Sequence, residues 1–355
     1  MGLGAAKQRL ACLIAARNYG DTVVASVFLR RLVLREFADR YLVWTRPQMA
    51  FLFKDVPDCE VMVSAFPVGT AKQFGRTAIP VFLRTAWQIR RRRPSITLDL
   101  TGDIRERWLA LLLSGRSHVH IGWAKGHPYR RLIRNPLGAG RPLVTVPADV
   151  PSVYGAYELM LEALAPSTAS TRAREASFEA SRRSSAHAAG SELRVGFHPF
   201  ASQPSKLWPA RHWRQLAAQI AARGARITAY AAPGERRELE KLFAGVGQVE
   251  LVTVGLEEFA ERLRALDLLV GLDSFAVHMA YRQGIRTVTI NAGTPPQLWA
   301  PPQERGLGGP GGCTHYPCYN VAPCRGVSGE YACVRSVSPS DVLSAIDDMR
   351  IQTDG

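Results

Sequence analysis

Two side chains of opposite charge follow apolar runs in the second half of the chain, each where a helical pattern begins. One run ends at Phe197 and is followed by Lys206, and the other ends at Leu272 and is followed directly by Asp273. A strand, a polar turn and a helix N-terminus form the arrangement with which α/β folds hold a diphosphate at the carboxyl ends of parallel strands. The spacing therefore predicts a diphosphate site with a cation beside it.

The same two segments match a known pattern. They read Lys206-Leu207-Trp208-Pro209 and Asp273 to His278, and they resemble the donor-binding half of the ADP-heptose:lipopolysaccharide heptosyltransferase family, glycosyltransferase family 9. In that family a Lys-x-Trp-Pro block and an Asp-Thr-Gly-x-x-His block recur in this order. The resemblance covers nearly the whole chain apart from residues 166–192. It implies an α/β GT-B fold, with two Rossmann-like doubly wound domains that face an interdomain cleft.

Length and composition fit a two-domain protein. The 355 residues are too many for one ordinary core, and 46% hydrophobic with 21% charged residues is typical of soluble globular proteins. No run of about eighteen uncharged apolar residues occurs, so no transmembrane helix is expected. The run Leu10 to Ala16 is too short for a signal peptide and predicts a first strand.

Positive charge is concentrated in the first half of the chain. The formal charge is +15, and residues 1–165 hold 24 Lys or Arg and 12 Asp or Glu, a net of +12, whereas residues 193–355 hold 17 and 15, a net of +2. Such a field favours an anionic partner: nucleic acid, an acidic membrane or a phosphorylated glycolipid. A bias toward arginine codons is the alternative. Since no nucleic-acid-binding module is recognisable, no nucleic-acid partner is expected.

Alternating strand and helix patterns predict a parallel sheet in each half of the chain. Residues 1–165 are predicted to form an N-terminal acceptor-binding domain, and residues 193–355 a C-terminal nucleotide-sugar-binding domain. The segment 166–192 is rich in Ala, Ser and Arg and holds few large apolar residues. It is therefore predicted to be a flexible linker, with a weakly amphipathic helix over 173–184 as the alternative.

Asp21 ends the sequence Asn18-Tyr19-Gly20-Asp21, where the first strand gives way to the first helix. Taken alone, a carboxylate in this position is expected to cap the helix. In the family that the chain resembles, a Gly-Asp pair at this turn supplies the general base that takes the proton from the acceptor hydroxyl. The resemblance therefore implies that Asp21 is the catalytic base.

The resemblance also gives roles to the two donor blocks. Lys206 would stabilise the developing charge of the leaving diphosphate. The backbone amides after Asp273 and the hydroxyl of Ser274 would hold the pyrophosphate, and Asp273 would meet sugar hydroxyls or orient Lys206. His278 would touch phosphate or donor sugar, or only pack. Ser274-Phe275 stands where the family has Thr-Gly, so Phe275 changes the phosphate-binding turn.

A glutamate follows the predicted strand 227–231. Family members keep a glutamate near this point that binds the ribose hydroxyls of the donor, and Glu235 is the best match, with Glu238 second. An ordinary carboxylate in the first turn of a helix is the alternative for either.

Four of the six cysteines lie in a Gly/Pro-rich loop, at Cys313, Cys318, Cys324 and Cys333. Four thiols in one loop could bind zinc or iron, although no CxxC pair is present; free thiols and disulfides are the alternatives. Among the proteins that the chain resembles, one branch that glycosylates autotransporter proteins holds iron with such cysteines. A structural zinc or iron site in the loop 313–333 is therefore one prediction.

The function that the resemblance implies is inverting transfer of a heptose, or a related sugar, from an ADP-sugar to a lipopolysaccharide-core acceptor, with no cofactor required for catalysis. The expected partners are the nucleotide-sugar donor, an anionic glycolipid acceptor and the cytoplasmic face of the inner membrane. The basic helix over 78–93, with Phe82 and Trp87, could lie on an anionic bilayer, or could be a solvated face.

Three other functions remain open from the sequence. The acceptor could be a protein, as in the autotransporter heptosyltransferases, and a metal-filled cysteine cluster would favour this. A basic nucleic-acid-binding protein would bind RNA in a salt-dependent way without binding sugar nucleotides. A non-catalytic relative, suggested by Phe275, would bind donor without turnover.

Overall fold

The chain folds into two compact units. The computed structural model describes residues 9–67, 74–114, 117–133, 141–183, 192–302, 304–319 and 321–351. Contacts divide the chain into Met1–Ser177 and Phe178–Gly355. The division falls inside the segment that the sequence predicts to be a linker.

In the first unit, the described strands form one parallel sheet in the order β3-β2-β1-β4-β5-β6. The strands are β1 Leu10–Ala15, β2 Arg40–Thr45, β3 Cys59–Val63, β4 Ile96–Asp99, β5 His118–Trp123 and β6 Val144–Val146. The helices that accompany them are α1 Tyr19–Leu34, α2 Ile79–Arg91, α3 Ile104–Ser114 and α4 Val153–Leu164. The apolar runs coincide with β1 to β5 because strands of a parallel sheet are buried on both faces. The three-residue β6 was not expected, since so short a run gives no pattern.

Helices α2 and α3 pack on the same side of this sheet. Their inward side chains, including Phe82 and Ile89 from α2 and Leu109 from α3, belong to one hydrophobic cluster with Trp44 of β2. The rings of Trp44 and Phe82 have centroids 5.0 Å apart. The sequence analysis placed Phe82 beside Trp87 on a surface that could face a membrane. The structure corrects this, because Phe82 lies in the core whereas Trp87 is exposed.

The second unit repeats the topology of the first. Its parallel sheet has the order β12-β11-β10-β7-β8-β9. The strands are β7 Arg194–His198, β8 Arg226–Ala231, β9 Val249–Thr253, β10 Leu268–Leu272, β11 Arg286–Ile290 and β12 Arg305–Leu307. The helices are α6 Ala210–Ala221, α7 Arg236–Leu242, α8 Leu256–Leu263, α9 Phe275–Arg282, α10 Pro296–Trp299, α11 Ala332–Arg335 and α12 Pro339–Ile351. Each sheet therefore has the doubly wound strand order 3-2-1-4-5-6 within its own unit.

This strand order creates a switch point in each sheet, where chain connections leave in opposite directions from two neighbouring strands. The switch points lie between β1 and β4 and between β7 and β10. Ligands of open α/β sheets bind outside the carboxyl ends of the strands at such points. The fold thus marks the turns after β1, β4, β7 and β10 as the places to look for chemistry.

Part of the predicted flexible linker is a helix, α5 Ala169–Arg183. Glu175 of this helix bonds to Arg35 of the first unit, with Arg35 Nε 2.8 Å from Glu175 Oε1, and Arg31 also reaches its carboxylate. The structure confirms the alternative, a helix within this segment, although α5 begins at Ala169 rather than at residue 173 and is held by ion pairs that composition does not reveal. Residues 184–191 lie outside the described residues.

Within the described ranges, no helix combines the length and hydropathy that a bilayer-spanning segment needs.

Candidate active site

Lys206 and Asp273 meet at the switch point of the second unit. Lys206 follows β7 in a 3-10 turn, and Asp273 is the first residue after β10. Lys206 Nζ donates to Asp273 Oδ2 at 2.8 Å and to the Asp273 carbonyl at 3.0 Å. The two side chains are 16% and 7% exposed, so the pair is largely shielded from water. Of the two roles expected for Asp273, the structure shows the contact that orients Lys206.

The turn that carries Lys206 is anchored by Trp208. The Trp208 side chain is buried, its Nε1 donates to the Val337 carbonyl at 2.8 Å, and its ring meets Trp213 edge-on. Pro209 is the residue before α6, where its fixed φ angle suits a helix start. Packing by Trp208 and helix initiation by Pro209 therefore hold Lys206 in place.

Ser274 precedes α9 and presents an unused hydroxyl. Its Oγ is buried and has no hydrogen-bond partner in the part of the chain that the structure describes. The first backbone N–H groups of α9 lie at the positive end of the helix dipole, and this environment favours an anion. Gly271 allows α9 to approach the strand, because a Cβ there would lie 2.9 Å from Val277 Cγ1. An unpaired hydroxyl at a helix N-terminus is suited to a phosphate oxygen.

The ring of Phe275 packs into an aromatic group. It contacts His198 at the end of β7 and Phe259 of α8, with centroids 5.5 and 5.7 Å apart. Tyr230 of β8 meets the other side of Phe259. These contacts accommodate the side chain that replaces the family's glycine.

His278 lies one turn into α9 and is buried beside the Lys206–Asp273 pair. Burial lowers the pKa of His278 to about 4, and the nearby Lys206 adds to this while Asp273 opposes it. The imidazole is therefore neutral at pH 7, so His278 can offer a ligand hydrogen bonds but no positive charge.

Glu235 ends the 3-10 turn Pro233–Glu235 that follows β8. Its Oε2 accepts a bond from the Ala232 backbone N–H at 3.0 Å, and the side chain is partly exposed. The alternative candidate, Glu238, is exposed on α7. The observed bond is a capping contact, and the role in ribose binding stays a prediction.

Asp21 belongs to the first unit, in the first turn of α1. Its Oδ2 accepts a bond from the Asn18 backbone N–H at 3.3 Å, which is the capping contact expected for a carboxylate here. The side chain is partly exposed. Arg17, just before this turn, lies with Nη1 3.9 Å from Asp103 Oδ2. The structure thus places Asp21 at the β1 side of a switch point, and its role as base stays a prediction.

Buried carboxyl groups that the sequence analysis did not single out lie at the β4 side of the same switch point. Asp99 and Glu106 are 0% and 2% exposed, and both contact the Thr101 hydroxyl. Gly102 makes this turn possible, because its φ is +68° and a Cβ there would lie 2.3 Å from the Ile121 carbonyl oxygen. The signal in the sequence was a polar turn directly after the apolar run 96–100, the same pattern as in the donor blocks.

The Thr101 hydroxyl determines which of the two carboxyl groups carries a proton. It has one hydrogen, and its oxygen already accepts a bond from the Asp103 N–H. Asp99 Oδ1 accepts bonds from two backbone N–H groups, at 2.9 and 3.1 Å, which favours the charged form. The hydroxyl therefore donates to Asp99, and Glu106 must be protonated to donate to the hydroxyl.

The electrostatics agree with this assignment. Burial, followed by the charge of Asp99, raises the pKa of Glu106 to about 8, and the charge of Asp21 adds to the increase. Burial raises the pKa of Asp99 less, to about 6, because the N–H bonds oppose it. At neutral pH the pair holds one proton, on Glu106, close to the turn that carries Asp21.

We expect Glu106→Gln to make protein stability less dependent on pH. Because the folded-state pKa of Glu106 is raised, the folded protein binds an extra proton between about pH 4.5 and 8, so the free energy of unfolding falls as pH rises through that window. The slope for one proton is at most about 1.4 kcal/mol per pH unit. Glutamine keeps the bond to Thr101 without titrating.

Denaturant unfolding at pH 5.5 and 7.5 measures the effect, with the exposed Glu261→Gln as control. A change in stability between the two pH values that equals that of the unaltered protein would contradict the proton assignment.

The four cysteines of the loop 313–333 line one cavity, together with Tyr316, Tyr331, Ser205 and Gly293 among others. All six cysteines of the chain are free thiols. No group of three or more His, Cys, Asp or Glu side chains in the described segments is placed to hold a metal ion. The predicted zinc or iron site at Cys313, Cys318, Cys324 and Cys333 therefore has no support among the described residues.

The two doubly wound sheets, each with a polar turn at its switch point, have the α/β fold of the GT-B class seen in solved heptosyltransferase structures. The chain belongs to glycosyltransferase family 9 (heptosyltransferase), whose model matches residues 83–318. A comparison with curated protein sequences gave no match.

Solved structures share the fold at low sequence identity. The Escherichia coli heptosyltransferase WaaC with ADP-2-deoxy-2-fluoro heptose is 16% identical, with a TM-score of 0.66 over 96% of this chain and 99% of that one. The E. coli ADP-heptose lps heptosyltransferase II is 16% identical, with a TM-score of 0.59 over 97% and 99%. The iron-containing dodecameric glycosyltransferase TibC of enterotoxigenic E. coli is 12% identical, with a TM-score of 0.53 over 98% and 77%.

Proposed function

We propose that the chain is an inverting transferase that moves a heptose, or a related sugar, from an ADP-sugar to a lipopolysaccharide-core acceptor. The observation that carries the proposal is the shielded Lys206–Asp273 ion pair at the switch point of the second unit. The unpaired Ser274 hydroxyl lies at the next residue. A fixed cation and an unused donor at a helix N-terminus are what a leaving diphosphate requires.

In this proposal the second unit holds the donor. Lys206 stabilises the charge that develops on the diphosphate, Asp273 keeps Lys206 in position, and Ser274 with the first amides of α9 binds phosphate oxygens. Neutral His278 donates a hydrogen bond, and Glu235 binds the ribose hydroxyls. Because Lys206 supplies the positive charge, the transfer step needs no metal ion. The ADP-linked ligand of WaaC, a protein of the same fold, supports the choice of nucleotide.

The first unit receives the acceptor. Asp21 takes the proton from the acceptor hydroxyl as it attacks the anomeric carbon. The net charge of +12 over residues 1–165 attracts a phosphorylated glycolipid, and the enzyme works as a peripheral protein on the cytoplasmic face of the inner membrane. We prefer a lipid acceptor to a protein acceptor because this charge suits a phosphorylated glycolipid.

Calorimetric titration with a panel of sugar nucleotides tests the donor assignment. We expect ADP-heptose, and more weakly ADP-glucose, to bind, while UDP-glucose and GDP-mannose do not. Transfer to deacylated lipopolysaccharide core, followed by mass spectrometry, then tests the acceptor. If the folded protein binds none of the four donors, the proposal fails; if it binds ADP-heptose but modifies only a protein, the acceptor assignment fails.

A further inference from the structure

Helices α2 and α3 expose an unusual amount of apolar surface. Of thirteen exposed large hydrophobic side chains in the described residues, seven lie on these two helices. They are Ile79, Val81, Leu83 and Trp87 on α2, and Trp108, Leu111 and Leu112 on α3. We call this set the apolar face. Trp87 and Trp108 are 56% and 62% exposed, so solvent contacts more than half of each ring.

The apolar face lies on the side of each helix opposite to the core. On α3, Leu109, Ala110 and Leu113 pack against the sheet, while the remaining side chains of the same turns, which include Trp108, point to solvent. A surface helix normally places polar residues on this side. The two helices are neighbours, since Arg90 of α2 bonds to the Leu112 carbonyl at the end of α3. The exposed side chains therefore form one surface, of the kind that marks an interaction site.

Positive charges predominate around the apolar face. Four exposed arginines of α2 and its C-terminal end form no ion pair with a described residue: Arg84, Arg90, Arg91 and Arg93. The guanidinium of Arg91 lies 4.5 Å from the centre of the Trp87 ring. The only carboxylate on the two helices is Glu106, which is buried and protonated. The partner must accept apolar side chains and be negatively charged.

We propose that the apolar face docks on an anionic lipid bilayer, with Trp87 and Trp108 at the level of the headgroups and the arginines paired with lipid phosphates. Tryptophan favours this interface because its ring is apolar while its N–H stays hydrated. Basic residues near an anionic leaflet add electrostatic attraction. The inference deepens the proposed function, since it assigns membrane contact to particular helices of the acceptor-binding unit.

Other occupants fit the surface less well. A second copy of the chain, joined by a two-fold axis, would bring the same arginine-rich surface against itself, and like charges would repel. A nucleic acid would use the arginines but would leave the aliphatic side chains, Val81 and Leu83 among them, without partners. The bilayer satisfies both the apolar and the charged groups.

Flotation with lipid vesicles tests the inference. We expect the protein to float with vesicles of phosphatidylglycerol and phosphatidylethanolamine, and not with phosphatidylcholine alone. The double variant Trp87→Ser/Trp108→Ser should reduce the bound fraction at least about tenfold. The variant Arg84→Gln/Arg91→Gln/Arg93→Gln should lose the preference for anionic lipid and the sensitivity to salt. As a matched control, Leu251→Ser/Val327→Ser removes exposed apolar side chains of the second unit and should bind as the unaltered protein does.

Three results would overturn the inference: no binding to anionic vesicles, equal binding by the tryptophan variant, or a dimer in lipid-free solution that the tryptophan variant abolishes. Titration of each variant with ADP-heptose separates this inference from the proposed function. The variants lie outside the donor unit and should bind donor normally. Their circular dichroism spectra and melting temperatures should match those of the unaltered protein, which shows that the altered unit is folded. If a variant loses vesicle binding but still binds donor, the result bears on the membrane-binding surface alone. If the unaltered protein binds vesicles but does not bind donor, the result counts against the proposed function alone.

Discussion

Asp21→Asn is expected to slow sugar transfer by about 10²–10⁴-fold, the usual contribution of a general base, while the dissociation constant for donor stays unchanged. The side chains are nearly identical in shape, and the asparagine oxygen can still accept the bond that Asn18 N–H makes to Asp21. The substitution therefore removes proton acceptance and keeps the helix cap. Single-turnover transfer at saturating donor measures the effect.

This substitution separates catalysis from capping, which are the two roles open to Asp21. If the carboxylate only caps α1, transfer by the variant would continue at the normal rate. Asp149→Asn serves as the matched control, because Asp149 is an exposed aspartate of the same unit. Its transfer rate should equal that of the unaltered enzyme.

The second large effect is expected at Lys206. Lys206→Ala should lower the transfer rate by about 10²–10³-fold, comparable to the loss of one preorganised donor in a site that stabilises developing charge. ADP affinity should fall as well. Lys241→Ala removes an exposed lysine of the same unit and should change neither quantity.

Asp273→Asn tests whether Asp273 acts through Lys206. The pair is joined by a 2.8 Å bond between opposite charges, so replacing the carboxylate with a neutral amide should weaken the hold on Lys206 and reduce transfer. The double variant Lys206→Ala/Asp273→Asn should then be about as slow as Lys206→Ala alone, since residues in one network are not additive. Losses that multiply would show instead that Asp273 contacts the substrate independently. Thermal unfolding of all three variants shows whether the shielded pair also holds the turn together.

The fold could be predicted because its signals are local. The buried strands of a parallel sheet are unbroken apolar runs, as at β1 and β10, and helices with an inward apolar stripe separate them. The positions of Lys206 and Asp273 followed from their place after such runs. Their direct bond could not be derived, because the residues are 67 positions apart and only the strand order brings β7 beside β10.

Contacts between distant residues explain what the sequence did not reveal. The helix α5 is held by Glu175 against Arg35, 140 residues away, and nothing in its composition indicates this. The proton on Glu106 depends on the orientation of one hydroxyl group. For the cysteines, proximity in sequence suggested a metal site, and the folded loop places all four around one cavity.

The bond from Trp208 to the Val337 carbonyl has a consequence for the order of events during translation. Residue 337 lies two positions before helix α12, so the turn that carries Lys206 loses its anchor in any chain that ends earlier. A ribosome that has completed the Lys206 turn must still synthesise 131 further residues before this anchor exists. A nascent chain therefore lacks this anchor until residue 337 has been added, and a chain that terminates before that point would hold Lys206 less firmly.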